Sequence, residues 1–308
     1  MSEKALKQLV GALAIVVVLW VAATLVSRAG DGSLGVSGEV AAFFEGVDPS
    51  SVEEARIFGP VDTIRLSRDG DAWRVNGFRA DSGSVARFFQ TLEEAAVDRL
   101  MATNPANHAR MGVSTDSART LELEVGGTTR ALLFGGEGPR PSTIYAREAG
   151  SDDVYLVEGA LRSHLQRQLD DWRNRKMLAI DTSRVARIAV QRADEAFTLV
   201  KADSVWTFAD GGAVRASQVQ SILNELGGGL VASRFVADDD SLASLPQGGS
   251  TVAFTEAGDV LAEVTIGSGT GERWAMVTGD SVRYRLPSFR VDMIVPTLES
   301  VQPADPAN

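Results

Sequence analysis

The sequence predicts an α+β protein, in which an N-terminal transmembrane helix precedes two copies of a mostly antiparallel, β-rich module, each with a packed helix. Three observations predict this architecture. They are an uncharged apolar run near the N-terminus, short segments of alternating hydrophobicity, and motifs that recur after 129 to 134 residues. A length of 308 residues fits about two domains of ~150 residues each.

The apolar run from Leu9 to Val26 contains no charged residue. As a helix it would span about 27 Å, which matches the hydrocarbon core of a bilayer. Lys4 and Lys7 precede it, so the positive-inside rule places residues 1–8 in the cytoplasm. We therefore expect a single-pass protein of a bacterial inner membrane with a periplasmic domain. A cleaved signal peptide is the alternative, but its apolar core is usually shorter, about 7–15 residues.

Residues 27–42 contain four glycines, which predicts a flexible stalk. The repeated motifs then divide the chain into a first module at 43–178 and a second at 179–301. A disordered tail is expected at 302–308.

The duplication is seen in residues of similar type at nearly constant spacing. Pairs that are 133 residues apart are Ile64 and Phe197, Leu66 and Leu199, and Trp73 and Trp206. Tyr145 and Tyr155 lie 129 residues before Trp274 and Tyr284. Loop insertions would produce this slow drift, so the pattern predicts two copies of one module.

Alternating residues and turn signals predict the elements of the first copy. Its helix is capped by Asp81 or Ser82 and buries Val85, Phe88, Phe89, Leu92 and Ala96. Strands are expected around 53–58, 62–68, 72–76, 119–125, 129–135, 143–148 and 153–157, with a closing helix near 158–170.

The second copy follows the same plan. Its helix is capped by Ser217, buries Val219, Ile222, Leu223 and Leu226, and ends at Gly227 to Gly229. Strands are expected around 185–192, 196–202, 205–208, 250–256, 260–266, 273–278 and 282–286, with a shorter helix near 288–300.

Composition restricts the chemistry. The chain has no cysteine and two histidines, His108 and His164, so thiolate chemistry is excluded and imidazole chemistry has few candidates. A net charge of -11 disfavours nucleic-acid binding. No motif predicts a cofactor or a metal. Both histidines lie outside known catalytic motifs and are interpreted as surface or helix-cap residues.

Three stretches occur in a recognisable order: the entry Val47 to Val52 followed by Asp69 to Val75, the strand pair Thr143 to Arg147 and Val154 to Val157, and the junction Trp172 to Leu178. Together they resemble a bacterial family known as domain of unknown function 4340. The resemblance implies a membrane-anchored extracytoplasmic protein, often encoded beside ABC-type exporters of the gliding-motility auxiliary kind. The family has no established catalytic residues. Met111 to Val113 departs from the family's Tyr-Gly-Leu, which weakens any role for an aromatic there.

Two sets of residues are candidates for binding. Trp172, Arg173, Arg175 and Lys176 could form a partner-docking patch, because tryptophan and arginine are enriched in interface hot spots; a solvated helix end is the alternative. Trp73 and Trp206 could form a glycan platform, or could anchor a hairpin to its helix.

Two other motifs are interpreted as loops. Asp238 to Asp240 lacks the spacing of an EF-hand. Gly267 to Gly271 lacks the lysine of a phosphate loop and is predicted to be a hairpin turn.

The function expected from these features is that of a non-catalytic membrane-anchored accessory or scaffold protein. Its partners would be the lipid bilayer, through residues 9–26, and a membrane protein such as an ABC permease. A glycan- or peptidoglycan-binding envelope protein is the alternative. An envelope hydrolase with paired carboxylates is a third hypothesis.

Overall fold

The computed structural model describes residues 38–60, 62–193, 195–236 and 247–303. The predicted cytoplasmic tail, transmembrane helix and acidic loop Asp238 to Asp240 lie outside these residues, as do most of the predicted stalk and of the C-terminal tail. Within the described ranges, no helix is long and apolar enough to span a membrane. The last part of the predicted stalk is not flexible coil, because a helix begins at Gly38 and buries Val40 and Phe43.

The chain divides into two compact units, and the boundary along the sequence lies between Arg173 and Asn174. Each is built on one antiparallel sheet with helices, as the alternating sequence pattern predicted.

The first unit contains a nine-stranded sheet in the order β4-β3-β2-β1-β6-β7-β8-β9-β5. Its helices are α1 (Gly38–Phe44), α2 (Ser82–Glu94), α3 (His108–Met111), α4 (Leu161–Leu165) and α5 (Leu169–Trp172). Its strands are β1 (Val52–Phe58), β2 (Thr63–Asp69), β3 (Ala72–Val75), β4 (Phe78–Arg79), β5 (Ala96–Ala102), β6 (Arg119–Val125), β7 (Thr128–Glu137), β8 (Thr143–Arg147) and β9 (Val154–Glu158).

The predicted helix of the first copy is confirmed in α2. Asp81 is its N-cap and its carboxylate accepts a hydrogen bond from the Ser84 amide at 2.8 Å. One detail was wrong: the helix ends at Glu94, so Ala96 starts strand β5 and is exposed instead of joining the buried stripe. The stripe that packs into the core is Val85, Phe88, Phe89 and Leu92.

The second unit contains an eight-stranded sheet in the order β12-β11-β10-β14-β15-β16-β17-β13. Its strands are β10 (Arg187–Arg192), β11 (Glu195–Ala202), β12 (Val205–Phe208), β13 (Arg234–Phe235), β14 (Gln247–Phe254), β15 (Val260–Gly267), β16 (Arg273–Val277) and β17 (Tyr284–Leu286). Its helices are α6 (Ala216–Asn224), α7 (Ser288–Ile294) and α8 (Leu298–Val301). With β10 in the place of β1, the strands follow the same order as in the first sheet, apart from the additional β4.

The helix α6 buries Val219 and Ile222 against the second sheet. The predicted cap at Ser217 was wrong, since Arg215 is the N-cap and makes no side-chain cap bond. The end of the helical region is set by Gly228, whose φ of 119° lies in the region that favours glycine.

Both predicted closing helices are divided in two. In the second unit the break follows from Pro296, because a proline disfavours helical backbone at the residue before it, and Val295 has left the helix with a φ of -124°. In the first unit a capping box between Gln168 and Asp171 starts α5 as a separate helix.

One buried ion pair links α7 to the end of the α6 region. The Arg290 Nη1 atom lies 2.8 and 2.9 Å from the two carboxylate oxygens of Glu225 and also donates to the Gly229 carbonyl. The Glu225 side chain is only 6% exposed. A carboxylate this buried depends on its cationic partner.

Replacing Arg290 by Met should therefore destabilise the second unit by about 3 kcal/mol, because the variant leaves the Glu225 carboxylate buried and unpaired. Urea unfolding measures this change. Arg162→Met is the control, since Arg162 and Glu137 are 45% and 56% exposed and a surface pair is worth less than about 1 kcal/mol. Equal losses in the two variants would contradict the role given to the buried pair.

Candidate functional site

The sheet of the second unit has a core face and a solvent face. Along β10, Ile188 and Val190 are buried in the core, while Ala189 and Gln191 point to the opposite side. Register extends the solvent face to the neighbouring strands: Ala189 lies between Thr198 of β11 and Val252 of β14.

A cavity of about 590 Å³ opens at this part of the unit, and we call it the groove. Strands β10, β11 and β14, the end of β12 and helix α8 supply its lining. Asp210 is the one ionisable residue among the thirteen that line it. The lining residues are Ala189, Val190, Gln191, Ala196, Phe197, Thr198, Phe208, Ala209, Asp210, Ser250, Val252, Leu298 and Gln302.

The corresponding face of the first sheet carries charged side chains instead. Arg56 lies between Arg65 and Glu122 in the strand register. Its guanidinium is 2.8 Å from Glu54 and 3.4 Å from Glu122, while Arg65 is 2.6 Å from Glu54. Glu54 is 11% exposed, so these long side chains cover the sheet as an ion-pair network.

The groove arises from the residues that replace this network. In register, Ala189 takes the position of Arg56, Thr198 that of Arg65 and Val252 that of Glu122. Three long charged side chains are thus replaced by short neutral ones. The same backbone arrangement is covered in the first unit and open in the second.

The two tryptophans proposed as a glycan platform are partly buried. The Trp73 ring packs 5.0 Å from Phe89 of α2 and lies under the Arg68 guanidinium. Trp206 packs against the core of the second unit. Neither tryptophan lines the groove.

The four residues of the proposed docking patch are divided between the units. Trp172 lies in the core of the first unit with no exposed surface, and its ring is 5.4 Å from that of Phe88, so its side chain is not part of an exposed surface. Arg173 lies 3.8 Å over the Phe78 ring and pairs with Asp170. Arg175 and Lys176 are exposed at the start of the second unit, where the Arg175 carbonyl accepts from Ala232.

The surface or cap interpretation of His164 was wrong. His164 is 6% exposed and packs beside Phe88 and Trp172. The Thr91 hydroxyl donates to the Arg87 carbonyl at 2.8 Å, so it accepts from Nε2 of His164 at 3.1 Å. Its Nδ1 atom has no hydrogen-bond partner among the described residues. His108, by contrast, begins α3 and is partly exposed.

Burial lowers the pKa of His164 from 6.5 to about 4, and the positive charges of Arg167 and Arg87 act in the same direction. The imidazole is therefore neutral at pH 7 and structural in character.

The segment Met111 to Val113, where the sequence departs from the family motif, packs on strand β7. Gly112 ends α3 in the left-handed region with a φ of 69°, and the segment packs so closely on Gly135 that a side chain there would meet Val113. Met111 and Val113 form a small apolar cluster with Val154.

The predicted hairpin turn at Gly267 to Gly271 lies between β15 and β16. Across the described residues, no group of three potential metal ligands occurs.

The described part of the chain is thus a protein of two antiparallel β units, one of which carries an open groove. Comparison of the sequence with protein families gives a match to Domain of unknown function (DUF4340) over residues 73–247. The match covers more than half of the chain, so the protein belongs to this family, as its motifs predicted. No curated protein and no solved structure matches it.

The groove was missed in the sequence, although a signal for it was present. Aligning the two copies at a spacing of 133 places Ala189 and Thr198 opposite Arg56 and Arg65. Charged residues of the first copy are thus replaced by uncharged ones in the second copy alone. Such a replacement on the solvent face of a sheet indicates a surface that differs in its contacts with water.

The buried imidazole makes stability depend on pH in a predictable direction. Because the folded pKa of His164 lies below the unfolded value, the unfolded chain binds more protons between pH 6.5 and 4. The contribution of His164 to the free energy of unfolding is at its maximum above pH 6.5. It falls as the pH drops and becomes constant below about pH 4. Between pH 7.5 and 4.5 the first unit should lose about 2–3 kcal/mol through this residue.

Urea unfolding at the two pH values tests this dependence. The loss of stability of His164→Phe over the same interval should be about 2–3 kcal/mol smaller than that of the original chain. An unchanged pH dependence in His164→Phe would show that other groups produce it.

Proposed function

We propose that this protein is a non-catalytic accessory protein, anchored in a bacterial inner membrane, whose exported part binds a membrane protein such as the permease of an ABC-type transporter. The observation that carries the proposal is the groove of the second unit, in which Asp210 is the single ionisable lining residue. It replaces a solvated ion-pair network on an otherwise corresponding sheet, which favours a surface adapted to contact another molecule.

The lining of the groove supports binding better than catalysis. General acid–base chemistry requires titratable groups beside the reacting atoms. Asp210 is the single ionisable residue of the lining, and its carboxylate already accepts a hydrogen bond from the Gly212 amide at 3.0 Å. Glycoside hydrolysis uses two carboxyl groups, so the hydrolase alternative has less support.

The membrane part of the proposal depends on the sequence. The uncharged run from Leu9 to Val26 has the length of a bilayer span. The resemblance to the family supports an extracytoplasmic position near a transporter. The whole chain has a net charge of -11, which favours solubility of the exported part beside the membrane.

The groove can be closed with side chains that the fold already accommodates. Ala189→Arg with Val252→Glu reproduces the Arg56 and Glu122 pair of the first sheet at the corresponding positions. We expect this double variant to fold and to recover at least tenfold less membrane protein partner than the original chain. The measurement is crosslinking in intact cells, purification of the full-length chain and quantitative mass spectrometry.

A matched control makes the same chemical changes away from the groove, with Ala202→Arg and Val260→Glu, both at exposed positions outside its lining. The control should recover the partner as the original chain does. Recovery of cell-wall fragments in place of a membrane protein would make glycan binding the better proposal.

A further inference from the structure

The free end of strand β11 lies beside the groove. β11 begins at Glu195, but its pairing with β12 covers only Leu199 to Ala202. The segment after β12 adds one backbone bond, from the Ala209 amide to the Thr198 carbonyl at 2.9 Å. Among the described residues, β11 therefore has no strand partner on this side from Glu195 to Phe197.

Backbone amides and carbonyls of successive residues in a strand point alternately to its two neighbours, which gives the direction of the unpaired groups of β11. The Lys201 amide donates toward β10, to Ala186, so the even-numbered residues of β11 direct their amides and carbonyls to the β12 side. Among the described residues, no hydrogen bond joins the Thr198 amide or the Ala196 carbonyl to the segment that follows β12. Both residues line the groove.

In the first unit the same edge is closed by one side chain. The Asn76 amide donates to the Arg65 carbonyl at 2.9 Å. Its side-chain oxygen accepts from the Arg65 amide at 2.7 Å, and its side-chain nitrogen donates to the Thr63 carbonyl at 2.9 Å. Asn76 has a φ of 47°, in the left-handed region that asparagine tolerates better than most residues.

The second unit lacks this carboxamide. Residues 133 positions after Thr63, Arg65 and Asn76 are Ala196, Thr198 and Ala209. Ala209 keeps the backbone bond of Asn76 but has no group to accept from the Thr198 amide or to donate to the Ala196 carbonyl. One donor and one acceptor, on either side of Phe197, are thus open where the first unit satisfies them internally.

This pair of groups matches one residue of an added parallel strand. In parallel pairing, a residue donates its amide to one position of the neighbouring strand and accepts, with its carbonyl, from the position two residues further along. Antiparallel addition at Thr198 would need the carbonyl that Ala209 already occupies, and antiparallel addition opposite Ala196 would leave the Thr198 amide unpaired. A parallel strand uses the Thr198 amide and the Ala196 carbonyl together, so these two groups favour an extended segment that runs parallel to β11.

We propose that the groove takes an extended segment of a partner protein, which joins the second sheet as a strand parallel to β11 through the Thr198 amide and the Ala196 carbonyl. This proposal rests on the proposed function, in which the second unit binds a protein. The Asp210 carboxylate, which lies in the lining of the groove, favours a lysine or arginine near the end of the added segment.

The probe is the capped peptide acetyl-Lys-Thr-Val-Thr-Val-Thr-amide, added to the full-length chain in detergent micelles. The readout is hydrogen exchange of residues 196–199 together with the dissociation constant from calorimetry. We expect the peptide to slow exchange of the Thr198 amide at least tenfold. A peptide with N-methyl groups on alternate residues cannot pair on that side and should give no protection.

Two variants test the role of the Thr198 amide and the Ala196 carbonyl in peptide binding. Ala209→Asn supplies the carboxamide of the first unit, and Thr198→Pro removes the donor without breaking a bond to β10. Each should weaken peptide binding at least tenfold. Ala202→Asn, the same substitution as Ala209→Asn at an exposed residue outside the groove, should bind as the original chain does.

Several results would overturn the proposal. They are absence of protection at millimolar peptide, equal protection by the N-methylated peptide, and unchanged binding in both variants. Protection by chitotriose with none by the peptide would overturn it in favour of an acetamido sugar. Peptide binding without any membrane protein partner in cells would contradict the proposed function alone, while partner recovery that persists in Ala209→Asn and Thr198→Pro would contradict strand addition alone.

Discussion

The packing of one amphipathic helix on one face of an antiparallel sheet is the contact on which each unit depends. In the first unit, Phe88, Phe89 and Leu92 of α2 are fully buried beneath the sheet, and in the second unit Val219 and Ile222 of α6 take the corresponding place. Because side chains alternate along a strand, this burial fixes which residues of every strand face the core. The register then leaves the opposite face free to change without loss of the core.

The solvent faces of the two sheets use that freedom differently. The first is covered by Arg56, Arg65 and the carboxylates that pair with them, and its edge is closed by Asn76. The second has Ala189, Thr198 and Val252 at the positions of Arg56, Arg65 and Glu122, and an open edge. Charged cover and a closed edge both prevent association of sheets with other chains. Their loss from one unit, on the same strand order, is the observation that supports the proposed contact between the second unit and a partner.

The sequence predicted the elements of the fold that have a short-range signal in consecutive residues. Period-two alternation and turn residues gave most strands to within a few residues, and the cap at Asp81 gave the start of α2. The two-residue strand β13 and the bulged strand β5 escaped, because neither has a clean alternating pattern. The burial of His164 and Trp172 also escaped, since charged neighbours at 167, 170, 171 and 173 make the segment look solvated. Their burial depends on α2, which is far away in the sequence.

The edge of β11 shows why a site of this kind is difficult to recognise in one copy of a module. Ala209 in isolation is an unremarkable alanine in a turn, and its meaning comes only from Asn76 at the same structural position. A buried unpaired amide would cost free energy, but Ala196 and Ala209 are exposed, so water can satisfy the open groups until a ligand replaces it. Among the described residues, the groups left open here but satisfied in the first unit are one donor and one acceptor, beside the Asp210 side chain. A strand edge this short gives little template for uncontrolled aggregation, yet it keeps the directional hydrogen bonds that an extended segment requires.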